Sequence, residues 1–219
     1  MKKTFFLATV LACLLSACES KLVEQVTLIP QAENVELLKG SLPVGNMKTI
    51  QAPEAWKATA ENFIGDIKKT ADLSLALASE GASIVLTENA NLPKEAYNLS
   101  ITKSGVQIEA CDVPGISHGL TSLHQVILTA KDGPLPVLNI QDKPLYGYRG
   151  LMLDCSRHFW TVDELKESID QMAFFKFNTL HMHLTDNQAW RMAVDKYPSL
   201  IKEGTYYYDF PEMSGKYYS

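Results

Sequence analysis

The chain has 219 residues, 46% of them hydrophobic and 21% charged, a balance that fits one or two folded domains and excludes wholesale disorder. Twenty Lys+Arg against 25 Asp+Glu give a net charge of −5, so no general cationic field exists for nucleic acid. Four cysteines are too few for a disulfide scaffold, and no later stretch approaches the roughly 18 uninterrupted apolar residues of a membrane span.

The first residues read as an address. Lys2 and Lys3 precede an apolar run from Phe5 to Leu15, which is of signal-peptide length and short for a span. It ends in Leu15-Ser16-Ala17-Cys18, which is similar to a bacterial lipobox. Such a signal implies cleavage of residues 1–17, lipidation of Cys18 and a membrane-anchored protein in the bacterial cell envelope, on the periplasmic side or outer surface. An ordinary signal peptide cut at a small-residue site is the plainer alternative. Cys111 and Cys155 then remain, and two buried free thiols are expected rather than a bridge.

From residue 18 to 146 helical and strand patterns alternate in an α+β domain. Val26–Ile29 and Val35–Leu38 are short β-prone runs. Pro53 can open a helix, and Trp56, Ala60, Phe63, Ile64 and Ile67 follow at helical spacing. Ser83–Thr87 is a compact strand. Tyr97–Thr102 and Val106–Ala110 flank Lys103-Ser104-Gly105, a hairpin in which the glycine is expected to supply an unusual backbone angle. Ile116, Leu120, Leu123, Val126 and Ile127 mark a second amphipathic helix. Its His118 and His124 are six apart, do not share a face, and read as structural or surface groups. The expectation is one sheet covered by two helices, with nothing catalytic in it. Gly133, Pro134, Pro136 and Pro144 make the following stretch turn-rich, with a boundary at Pro144-Leu145-Tyr146-Gly147.

From 147 to 219 the pattern changes. Tyr148–Cys155 reads as a strand. Thr161–Lys176 reads as a helix with Val162, Leu165, Ile169, Met172 and Ala173 on one side and a capping box between Thr161 and Glu164. Asn178–Thr185 reads as a second strand. Strand, helix, strand at this spacing is a βαβ unit with parallel strands.

Ligands bind at the C-terminal ends of parallel strands in α/β folds. The first strand delivers Asp154, Ser156, Arg157 and His158 to that end. The second delivers His183, Thr185, Asp186, Asn187 and Gln188. Alternation puts Leu180, Met182 and Leu184 on one face of the second strand and His181 and His183 on the other, as in a barrel with a polar mouth. His181 is expected to be a satisfied structural group; His183 reads equally as structural or functional. His181-Met182-His183 with Asp186 also permits a metal, although a third well-placed ligand is missing. Arg157 and Asp186 suit a sugar: a guanidinium offers parallel donors to vicinal hydroxyls, and a carboxylate accepts from hydroxyls or orients a catalytic group. Trp160 and Trp190 could wall a ring face. The adjacent acids Asp163 and Glu164 belong to the helix start and are rejected as a catalytic pair.

Two runs carry a resemblance. Tyr148-Arg149-Gly150-Leu151-Met152-Leu153-Asp154-Cys155-Ser156-Arg157-His158-Phe159 is similar to the opening of the catalytic barrel of glycoside hydrolase family 20, the β-N-acetylhexosaminidases. His181-Met182-His183-Leu184-Thr185-Asp186-Asn187-Gln188-Ala189-Trp190-Arg191 resembles the family's second signature, at the matching spacing. Leu28-Ile29-Pro30-Gln31 and the Gly115–Leu128 helix look like the small domain that precedes that barrel.

The resemblance implies a (β/α)₈ barrel enzyme, here only its first βαβ portion, that removes terminal β-linked N-acetylglucosamine or N-acetylgalactosamine from glycans without cofactor or metal. It implies that Arg157 binds the sugar hydroxyls and that Asp186, with His183, supports the site. The nucleophile implied is the substrate's own acetamido oxygen, assisted by an Asp-Glu pair. No residue of this chain matches that pair, which is expected beyond Ser219, so the chain reads as an N-terminal fragment, inactive alone. Asn187 and Ala189 depart from the acid and glycine common in the family. Two other functions stay open: a glycan-binding surface lipoprotein without catalysis, and a metal-dependent hydrolase.

Overall fold

The computed structural model describes residues 26–130, 133–206 and 210–219. The signal segment and Cys18 lie outside the described residues. Contacts divide the chain into two units, the first ending at Pro144 and the second running Leu145–Ser219.

The first unit is a seven-stranded mixed sheet with two helices. Its strands are β1 (Asn34–Leu42), β2 (Thr49–Gln51), β3 (Ala76–Leu77), β4 (Ile84–Glu88), β5 (Tyr97–Ile101), β6 (Val106–Ala110) and β7 (Leu135–Asp142), in the order β1-β7-β5-β6-β4-β2-β3. β5 pairs antiparallel with both β6 and β7, and β4 runs parallel to β6. Leu99 lies opposite Ile108 on one side and Ile140 on the other, and all three are buried. Period-two alternation therefore aligns one apolar face across neighbouring strands.

Helices α1 (Lys57–Ala71) and α2 (Val113–Ala130) belong to that face. Trp56, Ala60, Phe63 and Ile67 are buried at the helical period expected of them, as are Ile116, Leu120, Leu123, Val126 and Ile127. Gly119 lets α2 settle on the sheet: a Cβ there would stand 2.4 Å from Ile108 Cγ2 and 3.2 Å from the Tyr97 ring. Both histidines of α2 are buried structural groups. His118 Nδ1 meets the Glu95 carbonyl at 3.1 Å, and His124 Nε2 meets Thr70 Oγ1 at 2.6 Å.

Four expectations change. Val26–Ile29 is no strand; instead the Gln125 side chain donates to the Ile29 carbonyl and accepts from the Ile29 N–H, each at 2.8 Å, pinning the segment to α2. Leu135–Asp142, in the stretch read as turn-rich, is a strand near the sheet edge. Pro136 is tolerated because it pairs only with Ser41, beyond the end of β5 and beside an irregularity in β1. Gly105 closes the β5–β6 hairpin by close approach rather than by an unusual angle, since a Cβ would stand 2.7 Å from the Ser83 carbonyl oxygen. Cys111 is half-exposed, its thiol donating to the Pro93 carbonyl, while Cys155 is buried as expected.

The second unit is a βαβ. β8 (Gly150–Asp154) and β9 (Thr179–His183) are parallel and in register from Gly150–Thr179 to Asp154–His183. Between them α3 (Val162–Phe174) starts at the anticipated capping box: Glu164 N–H donates to Thr161 Oγ1 at 3.3 Å, and Thr161 N–H donates to Glu164 Oε2 at 2.7 Å. Only Leu165 and Met172 of the expected apolar stripe are buried; Val162, Ile169 and Ala173 are exposed, because two strands offer α3 little surface to cover. A one-turn helix α4 (Ser199–Lys202) follows. Among the described residues no helix is long and apolar enough to cross a membrane.

Candidate active site

The C-terminal ends of β8 and β9 carry the charged residues singled out from the sequence. The last residue of β8, Asp154, organises the turn after it. Its Oδ1 accepts from the backbone N–H groups of Ser156 and Arg157, both at 3.1 Å, and its Oδ2 accepts from Arg157 Nε. Arg157 Nη1 donates to Asp186 Oδ2 at 2.5 Å. The same oxygen meets His183 Nε2 at 2.9 Å. Arg157, Asp186 and His183 therefore form one cluster, with Asp154 as a fourth member.

The arginine is held but reachable. Its side chain is 45% exposed, against 26% and 28% for the two carboxylates beside it. Partial burial opposes ionisation of Asp154, but the Arg157 backbone N–H and guanidinium outweigh it and hold the carboxyl below its ordinary pKa. Asp186 is also lowered, first by the Asn187 backbone N–H and then by His183 and Arg157. Both acids are thus anionic acceptors at neutral pH.

Beneath the cluster the chain is cross-tied. The Cys155 and Ser156 N–H groups donate to the His183 carbonyl at 3.0 and 3.1 Å, and Ser156 Oγ donates to the Ala189 carbonyl at 2.9 Å. Arg191 is fully buried, with its guanidinium on four backbone carbonyls: Cys155 at 3.1 Å, Ser156 at 2.9 Å, Met213 at 2.7 Å and Lys216 at 2.9 Å. It also lies over the Phe159 ring, 5.6 Å from its centroid, and Phe159 stacks on Tyr218.

From the sequence, Asp154 is placed at the strand end without an assigned role, and Arg191 is given no part in the site. Asp154 has a legible signal, an aspartate three residues before an arginine at a strand end. Arg191 has none, since nothing in the sequence marks an arginine as buried.

The other candidates fall outside the cluster. His181 is exposed on β9 rather than a satisfied interior group. The Trp190 indole N–H is taken by the Met192 carbonyl, and Trp160 packs edge-on against His158 at 5.1 Å. Glu164 serves the helix cap, as anticipated. Gln188 Oε1 is buried without a partner among the described residues. Among those residues no three His, Cys, Asp or Glu side chains gather closely enough to hold a metal.

Comparison with known proteins agrees with this architecture. The model of glycosyl hydrolase family 20, domain 2, matches residues 25–143, and that of the family's catalytic domain matches residues 146–219. A β-hexosaminidase of Porphyromonas gingivalis is 33% identical across 94% of this chain, which spans 30% of that protein's length. A β-N-acetylhexosaminidase of Bacteroides fragilis superposes with a TM-score of 0.77 at 26% identity, over 88% of this chain and 40% of its own. An exo-β-N-acetylglucosaminidase of Vibrio harveyi, solved with N-acetylglucosamine, gives 0.75 at 26% identity, over 86% of this chain and 30% of its own. The first unit is thus the α+β domain that precedes the family's barrel, the βαβ is the barrel's opening portion, and the chain belongs to glycosyl hydrolase family 20.

Proposed function

We propose that this chain supplies the sugar-binding side of a β-N-acetylhexosaminidase active site, acting on terminal β-linked N-acetylglucosamine or N-acetylgalactosamine. The observation that carries this reading is Arg157, fixed between Asp154 and Asp186 at the ends of two parallel strands. A planar donor fork clamped by two carboxylates is held in a set direction, and vicinal hydroxyls of a pyranose accept from such a fork. Asp186, already bonded to His183, is placed to fix a catalytic acid through a further group. The acid-base residue and the residue that orients the acetamido group come from chain outside these 219 residues. Hydrolysis is retaining, with the acetamido oxygen of the substrate as nucleophile.

The test is hydrolysis of an aryl N-acetyl-β-glucosaminide by a full-length protein containing this segment, beside residues 18–219 alone. Turnover by the full-length protein only is expected. Loss of general acid help costs about 10²–10⁴ in rate, so the segment falls near background. Substantial turnover by the segment would place the chemistry at His183 and Asp186 and overturn the assignment.

The address belongs to the same reading. Lipidated Cys18 holds the protein on a bacterial envelope membrane, facing the periplasm or the outside, where glycans are met. One acyl chain binds a membrane marginally and more than one is needed for stable anchoring. Cys18→Ser is expected to move the protein into the soluble fraction; unchanged membrane partitioning would refute the anchor.

A further inference from the structure

The face of the first unit's sheet opposite the helices carries an unusual set of side chains. The register aligns two rows across five strands. One runs Asn34, Gln141, Asn98, Glu109, Thr87 and the next runs Glu36, Asn139, Ser100, Gln107, Val85. Five of these ten are primary amides, two are carboxylates, and none is cationic or aromatic. A cavity of about 280 Å³ lies over the rows, lined by Asn98, Gln107, Glu109 and Asn139 among others.

A merely solvated face would be built otherwise. Asparagine is among the residues most depleted in strands, and threonine is the polar residue that strands favour. Three asparagines in paired positions oppose local propensity, and such conflicts mark functional sites. The amides are also ordered. Glu109 accepts from Gln107 Nε2 at 3.1 Å, Asn98 Nδ2 at 3.5 Å and Asn89 Nδ2 at 3.1 Å. Asn139 donates to Glu36 at 3.1 Å and accepts from Ser100 at 2.8 Å. A primary amide has two donor hydrogens and two acceptor lone pairs, so each retains hydrogen-bonding capacity after these bonds.

The composition selects the ligand class. Two carboxylates without a cation disfavour anions such as phosphates, and a face whose single apolar member among the ten is Val85 disfavours a hydrophobic partner. What remains is a neutral ligand dense in hydroxyls and amides. Adjacent strands lie about 5 Å apart, close to the advance of one β-linked pyranose ring per strand. We propose that this face binds a neutral oligosaccharide across β1, β7, β5 and β6, separately from the Arg157 cluster. Without an aromatic platform the affinity is weak, with a dissociation constant on the order of 1 mM. That the bound glycan is N-acetylated rests on the function proposed above; the choice of a neutral saccharide does not.

The experiment is native electrophoresis of the full-length protein in gels cast with glycol chitin, an N-acetylglucosamine polymer, or with hydroxyethylcellulose. Retardation by glycol chitin is expected, and retardation by both polymers would show that hydroxyls alone suffice. The variant Asn98→Thr/Gln107→Thr replaces amides with strand-favouring residues. It should lose the retardation while keeping its melting temperature and its hydrolysis of a small aryl glycoside. Arg157→Ala should lose hydrolysis and stay retarded. No retardation of the parent protein, or retardation that Arg157→Ala abolishes and Asn98→Thr/Gln107→Thr leaves intact, would overturn the proposal. A hydrolysis assay that fails while retardation persists would count against the proposed activity only.

Discussion

Asp154 grips Arg157 at two places, accepting from its backbone N–H at 3.1 Å and from its side-chain Nε. The guanidinium therefore leaves the end of β8 with its orientation set before a ligand arrives. Asp186, delivered by the other strand, takes Nη1 and completes the clamp. An arginine so held has lost most of its rotamer freedom in advance, which lowers the entropic cost of binding.

Arg157→Lys tests whether the fork matters beyond its charge. Lysine keeps the cation but has no planar donors, and it cannot satisfy two carboxylates and a ligand in one geometry. In a full-length protein kcat/KM is expected to fall by about 10²-fold, the scale of a misplaced substrate. Wild-type kinetics would make Arg157 a structural ion pair.

Asp154→Asn separates aiming from binding. An asparagine whose Oδ1 accepts the two backbone N–H groups preserves the turn, but its Nδ2 is a donor and cannot accept from Arg157 Nε, so the charge-assisted side-chain bond is lost. The expected result is a KM raised about tenfold with a smaller change in kcat, since Arg157 itself remains. Equal losses in Asp154→Asn and Arg157→Lys would show that aiming and contact are inseparable.

The same carboxylates predict the acid side of stability. Both Asp154 and Asp186 are held below the ordinary aspartate value in the folded chain. The unfolded chain binds their protons more readily, so their contribution is complete above the unfolded pKa of about 3.9 and is lost as pH falls through the folded values. The melting temperature of the wild type is expected to hold at pH 5 and to drop below pH 4. Asp154→Asn should flatten that drop, and parallel pH curves for the two proteins would contradict the linkage.

Much of this was legible in the residues because side chains and local rules agree there. The Thr161–Glu164 capping box, the β5–β6 hairpin, both amphipathic helices and the βαβ all follow from spacing alone. Pro134 and Pro136 hid β7, because proline signals a turn except where a strand passes beyond its neighbour's end. Val26–Ile29 has strand composition, yet its partner is a single glutamine 96 residues later, a long-range contact that no local pattern reveals. In the site, strand-end position exposed Arg157, Asp186 and His183 to sequence reasoning. Arg191 stayed hidden because its partners are backbone carbonyls, which carry no sequence signature.

Arg191→Met measures that hidden residue. Methionine fills similar space but leaves the Cys155, Ser156, Met213 and Lys216 carbonyls without their donors. A buried acceptor stripped of its donor costs about 1–3 kcal/mol, so a loss of roughly 3 kcal/mol or more is expected after partial relaxation. Denaturant unfolding reads it, and Arg191→Lys, with three donors, should recover part of the loss. A change within about 0.5 kcal/mol, the range of ordinary surface substitutions, would show that water replaces the guanidinium freely.

A pair of glycines in the first unit separates helix propensity from packing. Gly65 lies within α1 and Gly119 within α2, so alanine should favour either helix by up to about 1 kcal/mol on propensity alone. Their surroundings differ. A Cβ on Gly65 meets nothing within 4 Å, whereas one on Gly119 meets Ile108 Cγ2 at 2.4 Å and the Tyr97 ring at 3.2 Å. Tyr97 cannot step aside cheaply, because its hydroxyl bonds Ser122 at 2.6 Å and Asp142 at 3.0 Å. The helix must then lift from the sheet or β6 must shift, and overpacking of this kind costs about 1–3 kcal/mol. Gly65→Ala is expected to raise the melting temperature by a few degrees and Gly119→Ala to lower it. For a domain of this size about 1 kcal/mol moves the midpoint by several degrees, so opposite signs are resolvable by calorimetry. If both variants stabilise, α2 does not sit on β5 and β6 as closely as the distances from Gly119 to Ile108 and Tyr97 imply.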